Sequence, residues 1–234
     1  MGFWLWRHRA ARADEGRRRR GVKVIGTQLM LLATLPVAAV SIGRAEKAAE
    51  VSKAALQAKL DYCENCHGRS GQGFHGYYPI PRLAGQQAGY FENQLKAFTE
   101  HRRTNVIMFN VAHVLSPEMI AGLIEKFDAL DPKPLGGGPK DLVGTGEKIY
   151  QEGVPDAGIP PCASCHGAQA KGEGEFPRLA GQLYDYVVNK LTNWGKERGQ
   201  TPEKPDTSAI MEPIAHGLTQ PQIKAVAAYV SYLE

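Results

Sequence analysis

The chain carries one five-residue pattern twice. Cys63-Glu64-Asn65-Cys66-His67 returns as Cys162-Ala163-Ser164-Cys165-His166, each followed by glycine, 99 residues further on. Pro81-Arg82-Leu83-Ala84-Gly85-Gln86 returns unchanged as Pro177 to Gln182 at an offset of 96, and Tyr90, Leu95 and Arg102 match Tyr186, Leu191 and Arg198. Met108, Ala112, His113 and Leu115 match Met211, Ala215, His216 and Leu218 at an offset of 103. A duplication of this kind governs every later assignment. The changing offset calls for three residues fewer in the second copy near His75 and seven more near 201–207. Between the copies, the Pro/Gly-rich run from Asp131 to Lys140 breaks helices. The organisation expected is a domain over 46–131, a linker over 132–140 and a second domain over 141–234. At about 90 residues, each copy has a marginal apolar core of its own, and a bound prosthetic group would supply much of the buried surface.

The pattern between the motifs is helical, which predicts an all-α fold. Ile120, Leu123, Phe127 and Leu130 in the first copy and Ile223, Val226, Val230 and Leu233 in the second follow steps of 3, 4 and 3, one face of an α-helix. Ser116 before Pro117 and Thr219 before Gln220 are N-cap candidates. Helices are also expected over 46–62, 87–103 and 182–198, with loops over 68–81 and 167–177.

Two cysteines at i and i+3 with a histidine at i+4 suit one demand above others: joining both vinyl groups of a haem by thioethers while the neighbouring imidazole binds its iron. Zinc would need four ligands from two pairs that lie in separate repeats, each with its own histidine. A thioredoxin-like pair needs a βαβ context that is missing and leaves the histidine unexplained. The reading is therefore two haem c groups, held by Cys63, Cys66, Cys162 and Cys165, with His67 and His166 as axial iron ligands. The repeat register selects the sixth ligands. Met1 and Met30 lie in the leader and Met119 aligns with Gln222, which leaves Met108 and Met211 as the paired methionines. Methionine opposite histidine is the combination that raises a haem potential. His113 and His216, five residues after each methionine, are the rivals for that place, with a surface or hydrogen-bonding role as their default. His75 and His101 have no partner in the other copy and are expected to be solvated.

The formal charge of +4 suggests a mildly basic protein, but it is unevenly spread. Residues 1–45 hold nine basic side chains against Asp14 and Glu15, a local charge of +7, and the remaining 189 residues carry −3. An arginine run followed by the uncharged stretch 24–42 reads as an export signal, with cleavage after Ala39 or Ala45. Retention of this segment as a membrane anchor stays open, since 19 uncharged residues come close to the roughly 20 that a span needs. Either way the rest of the chain is expected outside the cytoplasm. Nucleic acid is not an expected partner, because the basic residues belong to the leader.

CxxCHG, then PRLAGQ, then an aromatic helix ending near Arg102 and Asn105, then Met108, Ala112 and Leu115-Ser116 before a terminal helix, resembles the class I cytochrome c fold. Its occurrence twice resembles the di-haem cytochrome c4 family. The resemblance implies that the backbone carbonyls of Pro81 and Pro177 receive the Nδ1 protons of His67 and His166. It also implies a periplasmic electron carrier rather than an enzyme, taking single electrons in a respiratory chain from a cytochrome bc complex or other donor to a terminal oxidase. The alternatives are a cytochrome subunit of a larger dehydrogenase or oxidase, and a di-haem peroxidase, which needs one iron open or differently ligated. The sequence departs from the family pattern at one place: Asn105 has no clear counterpart in the longer 199–210 segment.

Overall fold

A computed structural model describes residues 51–198 and 207–234; the expected export signal and most of the longer 199–210 segment lie outside them. Ten α-helices occur among the described residues, with isolated β-bridges and no strand, so the chain is all-α. The first copy holds α1 (Lys53–His67), α2 (Ala88–Thr99), α3 (Val106–Ala112) and α4 (Pro117–Asp128). The second holds α5 (Val143–Glu152), α6 (Ala163–His166), α7 (Tyr184–Thr192), α8 (Trp194–Glu197), α9 (Ser208–Gly217) and α10 (Gln220–Tyr232).

The two terminal helices form as their patterns require. Ser116 accepts from the Met119 amide at 3.2 Å and Pro117 opens α4, while Gln222 Oε1 accepts from the Thr219 amide at 2.8 Å at the start of α10. Their apolar faces bury Leu123 and Phe127 in one cluster with Leu60, Phe91, Leu95 and Phe98, and Ile223, Val226 and Val230 in another with Ile149, Val187 and Leu191. Helix α1 packs on α4 and α5 on α10. Each core is thus a crossing of the first and last helices of its copy.

Local sequence accounts for the differences between the copies. In the first, α1 runs unbroken into Cys63–His67. In the second, the nine residues 153–161 contain three prolines and two glycines, so α5 stops at Glu152 and the cysteine motif starts the separate, four-residue α6. The single helix expected over 182–198 divides at Asn193 into α7 and α8. The glycine after each motif is required: Gly68 and Gly167 stand at φ 85° and 78° with ψ near 150°, a region closed to side-chain-bearing residues.

The repeated PRLAGQ segments meet each other. Gln86 Oε1 accepts from the Arg178 amide at 2.8 Å and its Nε2 donates to the Arg178 carbonyl at 3.1 Å. Gln182 does the same to Arg82, at 2.9 and 3.1 Å. The two guanidinium groups repeat the symmetry, each Nε donating at 3.1 Å to the carbonyl two residues on and both converging on Asp131 Oδ1. Burial, with Arg178 beside it and Asp131 only partly offsetting, brings Arg82 down to about 10. The repeated segment thus supplies both sides of the contact between the copies.

Candidate functional site

Each copy carries its cysteine pair on a helical turn, so that the two sulfurs and the histidine of a motif lie within one turn of one another. An apolar cavity of about 480 Å³ is lined by Cys66, His67, Met108, Cys162, Cys165, His166 and Met211, together with Pro81 and Pro177. Cys63 does not line it and packs half-buried against the first core. Burial pushes the Cys63 and Cys162 thiols up to about 11.

Both imidazoles are enclosed and aimed. His67 Nδ1 lies 2.9 Å from the Pro81 oxygen and His166 Nδ1 3.0 Å from the Pro177 oxygen. A carbonyl oxygen only accepts, so Nδ1 carries the proton and Nε2 is left as the free lone pair. Burial holds both rings below the usual histidine range, in the neutral form that binds a metal. Met108 follows from a capped short helix: Asn105 accepts from the Met108 amide at 2.9 Å at the start of α3. At α9, Thr207 stands at the N-cap without a side-chain bond. Both methionines are half-buried.

His113 and His216 are exposed and line no part of this cavity. His113 belongs to a three-ring stack with Phe109 and His101, with centroids 5.4 and 5.0 Å apart, and His216 lies against Gly195. His101 and His75, expected to be simply solvated, are exposed but partnered, His75 Nδ1 standing 3.2 Å from Asp185.

Sequence reasoning missed the cationic wall. By offset, Arg198 pairs with Arg102; in the structure its equivalent is Arg103. Arg103 and Arg198 each donate to Gln94 Oε1 at 2.8 Å, and each lies 4.7 Å over an aromatic ring, Phe98 for the first and Trp194 for the second. Arg103 also donates to the Tyr186 hydroxyl at 2.7 Å. Arg102 turns instead to Glu100 and Asn93. The extra residue in the first copy is taken up near His101, which sits at φ 58°. Two adjacent arginines hid the register, and no sequence signal separates them.

These residues fit a haem at each motif. Among the described residues, Arg82, Arg103, Arg178, Lys190 and Arg198 line the cavity with one carboxylate, Glu175. Burial, reinforced by Arg103 and Arg198, holds the Lys190 ammonium below its ordinary range despite its bond to Glu197. Trp194 Nε1 is buried without a hydrogen-bond partner among the described residues. An excess of enclosed positive charge and an orphaned donor need anionic acceptors. Haem carboxylates supply them where the apolar walls accept the ring.

The cytochrome c family profile matches residues 143–234. The chain is 39% identical to cytochrome c-552 of Acidithiobacillus ferridurans over 177 residues, which is 73% of each chain. It is 33% identical to the thiosulfate dehydrogenase electron acceptor of Thiomonas intermedia, covering 83% of this chain and 89% of that one. Among solved structures it is similar to a cytochrome c4 of Acidithiobacillus ferrooxidans, with a TM-score of 0.63, 38% identity and coverage of 74% of this chain and 99% of that one.

Proposed function

The chain belongs to the di-haem cytochrome c4 family, and from that premise we propose that it is an exported carrier in a respiratory chain, accepting single electrons in the periplasm from a donor protein and passing them to a terminal oxidase. It holds two covalently bound haem c groups and is an electron carrier, not an enzyme. When bound, those groups supply one-electron exchange between Fe(II) and Fe(III). In this reading Cys63, Cys66, Cys162 and Cys165 anchor them, and His67 with Met108, and His166 with Met211, bind the irons. The observation that supports it is that each copy contributes both its histidine and its methionine to one apolar cavity; with both bound, neither iron keeps a coordination place for a substrate. The Pro81 and Pro177 carbonyls fix the imidazole planes, so oxidation and reduction demand little rearrangement.

The mouths of the two sites differ. At the first, Tyr78 and Ile107 stand at the rim, 82% and 72% exposed, with Tyr77 and Val106 beside them at 90% and 75%. The segments 70–81 and 104–117 that form it carry no Asp, Glu, Lys or Arg. The loop of the second copy, 168–177, carries Lys171, Glu173 and Glu175 instead. The uncharged rim of the first site favours docking by apolar contact over charge steering. Similarity to a thiosulfate dehydrogenase electron acceptor makes a sulfur-oxidising dehydrogenase the favoured donor, with a cytochrome bc complex as the other candidate.

The test is the oxidised protein recovered from the periplasm. Two haems per chain are expected, both low-spin, each contributing the weak sulfur-to-iron absorption band, with a mass lacking the leader. Rapid reduction by a purified thiosulfate dehydrogenase supports the donor assignment. A high-spin signal at either haem in the native protein overturns the carrier reading.

A further inference from the structure

Two hydrogen bonds share one peptide group. The carbonyl of Pro81 accepts from His67 Nδ1 at 2.9 Å, and the amide nitrogen joined to that same carbonyl, Arg82 N, donates to Gln182 Oε1 at 2.9 Å. The second copy repeats this: His166 Nδ1 to the Pro177 carbonyl at 3.0 Å, and Arg178 N to Gln86 Oε1 at 2.8 Å. In each case the glutamine comes from the opposite copy. All four participating residues on the acceptor side, Arg82, Gln86, Arg178 and Gln182, are buried, at 3–8% exposure, so water does not compete.

A peptide that donates at nitrogen carries more negative charge at oxygen, and bonds in such a chain strengthen one another, more so in a low-dielectric interior. Here the gain lands on the imidazole. A stronger acceptor at the Pro81 oxygen draws the Nδ1 proton of His67 and makes Nε2 a better electron donor. We infer that Gln182 and Gln86 are positioning residues that act across the interface, each tuning the axial histidine of the other copy's haem: Gln182 holds down the potential of the first haem, and Gln86 that of the second. The inference rests on the reading in which His67 and His166 bind the irons.

Loss of Gln182 also frees the Arg82 carbonyl, to which its Nε2 donates at 3.1 Å, so the His67 Nδ1 resonance is the readout that separates the relay from a displaced Arg82. A glutamine that merely glued the copies together would, when lost, disturb both haems, or the haem of its own copy through the adjacent Leu183 amide, which Gln182 Oε1 also accepts at 3.0 Å.

The experiment uses the exported holoprotein with Gln182→Met and Gln86→Met, which keep side-chain volume and remove the acceptor. Potentials of the two haems are read by spectroelectrochemistry, and ¹⁵N NMR of the reduced protein follows the Nδ1 resonances of His67 and His166. Gln182→Met is expected to raise the first potential enough to change the partition of a single electron between the haems about threefold. It should move the His67 resonance and leave the second haem and His166 in place. Gln86→Met is expected to give the mirror image. Shifts confined to the haem of the substituted copy, equal shifts at both, or no shift at either overturn the proposal. If methionine is not tolerated, Gln182→Glu keeps an acceptor and adds charge; it lowers the first potential more than the second, and a larger fall at the second haem overturns the proposal. The low-spin spectrum of the unsubstituted protein separates the two readings. If it is intact and the crossed pattern is absent, the relay alone fails; if it is missing, the ligation reading fails and the relay with it.

Discussion

Replacing Met108 by histidine is expected to lower the potential of the first haem by on the order of 0.2 V, within the roughly 0.8 V that axial ligands span. The second haem should stay within a few hundredths of a volt. A thioether is a soft ligand that favours the reduced iron, whereas a second imidazole donates more strongly and favours the oxidised one. Both side chains are neutral when bound, so the substitution adds no charge that could act at a distance. The local scaffold survives it, because Asn105 caps α3 through the backbone amide of residue 108 and not through its side chain. Half of the sulfur-to-iron absorption should disappear together with the fall in potential. Retention of the full band means that Met108 is not the ligand, and equal falls at both haems mean that the sites are not independent. Met211→His should reproduce the result at the other haem.

Much of this site is legible in the sequence because the duplication acts as an internal control. With Met1 and Met30 already assigned to the leader, it discards Met119, and it fixes two sets of cysteines, histidines and methionines in register. The terminal helices are legible for a related reason: α4 and α10 bury long apolar stripes and begin at recognisable caps. Elements without such a stripe are not. Helix α3 is seven residues long and leaves Val106 and Ile107 in solvent, so no apolar periodicity announces it. Helix α5 is not among the helices expected from the sequence, because Gly144 and Gly146 weaken its helix propensity. What holds it is α10, a contact that local patterns do not encode.

The interface is the larger omission, and for a different reason. In the sequence, the identical PRLAGQ is tied to the haems alone, through the Pro81 and Pro177 carbonyls that the family resemblance implies. The structure shows two duties in one segment: proline carbonyls turned toward the histidines, and arginine and glutamine turned toward the opposite copy. Both duties demand the same residues in both copies. Register within one chain therefore cannot tell self-packing from packing against the duplicate. The same ambiguity placed Arg102 opposite Arg198, where an adjacent arginine one position away is the one enclosed beside Gln94.

Two glycine-to-alanine changes at the helix crossings should have opposite weights, although both sites look alike in sequence. At the crossing of α5 and α10, a Cβ on Gly146 would stand 2.0 Å from the Ala225 carbonyl oxygen and 2.8 Å from the Tyr229 Cβ. Neither backbone can yield without parting the helices, so Gly146→Ala is expected to cost about 3 kcal/mol, at the upper end of overpacking penalties. The helix propensity gained, up to about 1 kcal/mol, offsets only part of any larger clash. At the crossing of α1 and α4, a Cβ on Gly122 would meet the Leu56 methyl carbons at 2.9 Å, the movable tip of a side chain. There the propensity gain and the small repacking cost nearly cancel, and Gly122→Ala is expected to fall within about 1 kcal/mol of the parent. Residues 122 and 225 are equivalent in the repeat, so the copies place their close approach on opposite helices: Gly122 of α4 faces Leu56, and Ala225 of α10 faces Gly146. Adding Ala225→Gly to Gly146→Ala should therefore restore little, because the obstruction is the carbonyl and not the methyl group. Guanidinium unfolding of the holoprotein decides the matter. A Gly146→Ala variant as stable as the parent, or full rescue by Ala225→Gly, would show that α5 and α10 do not cross in backbone contact.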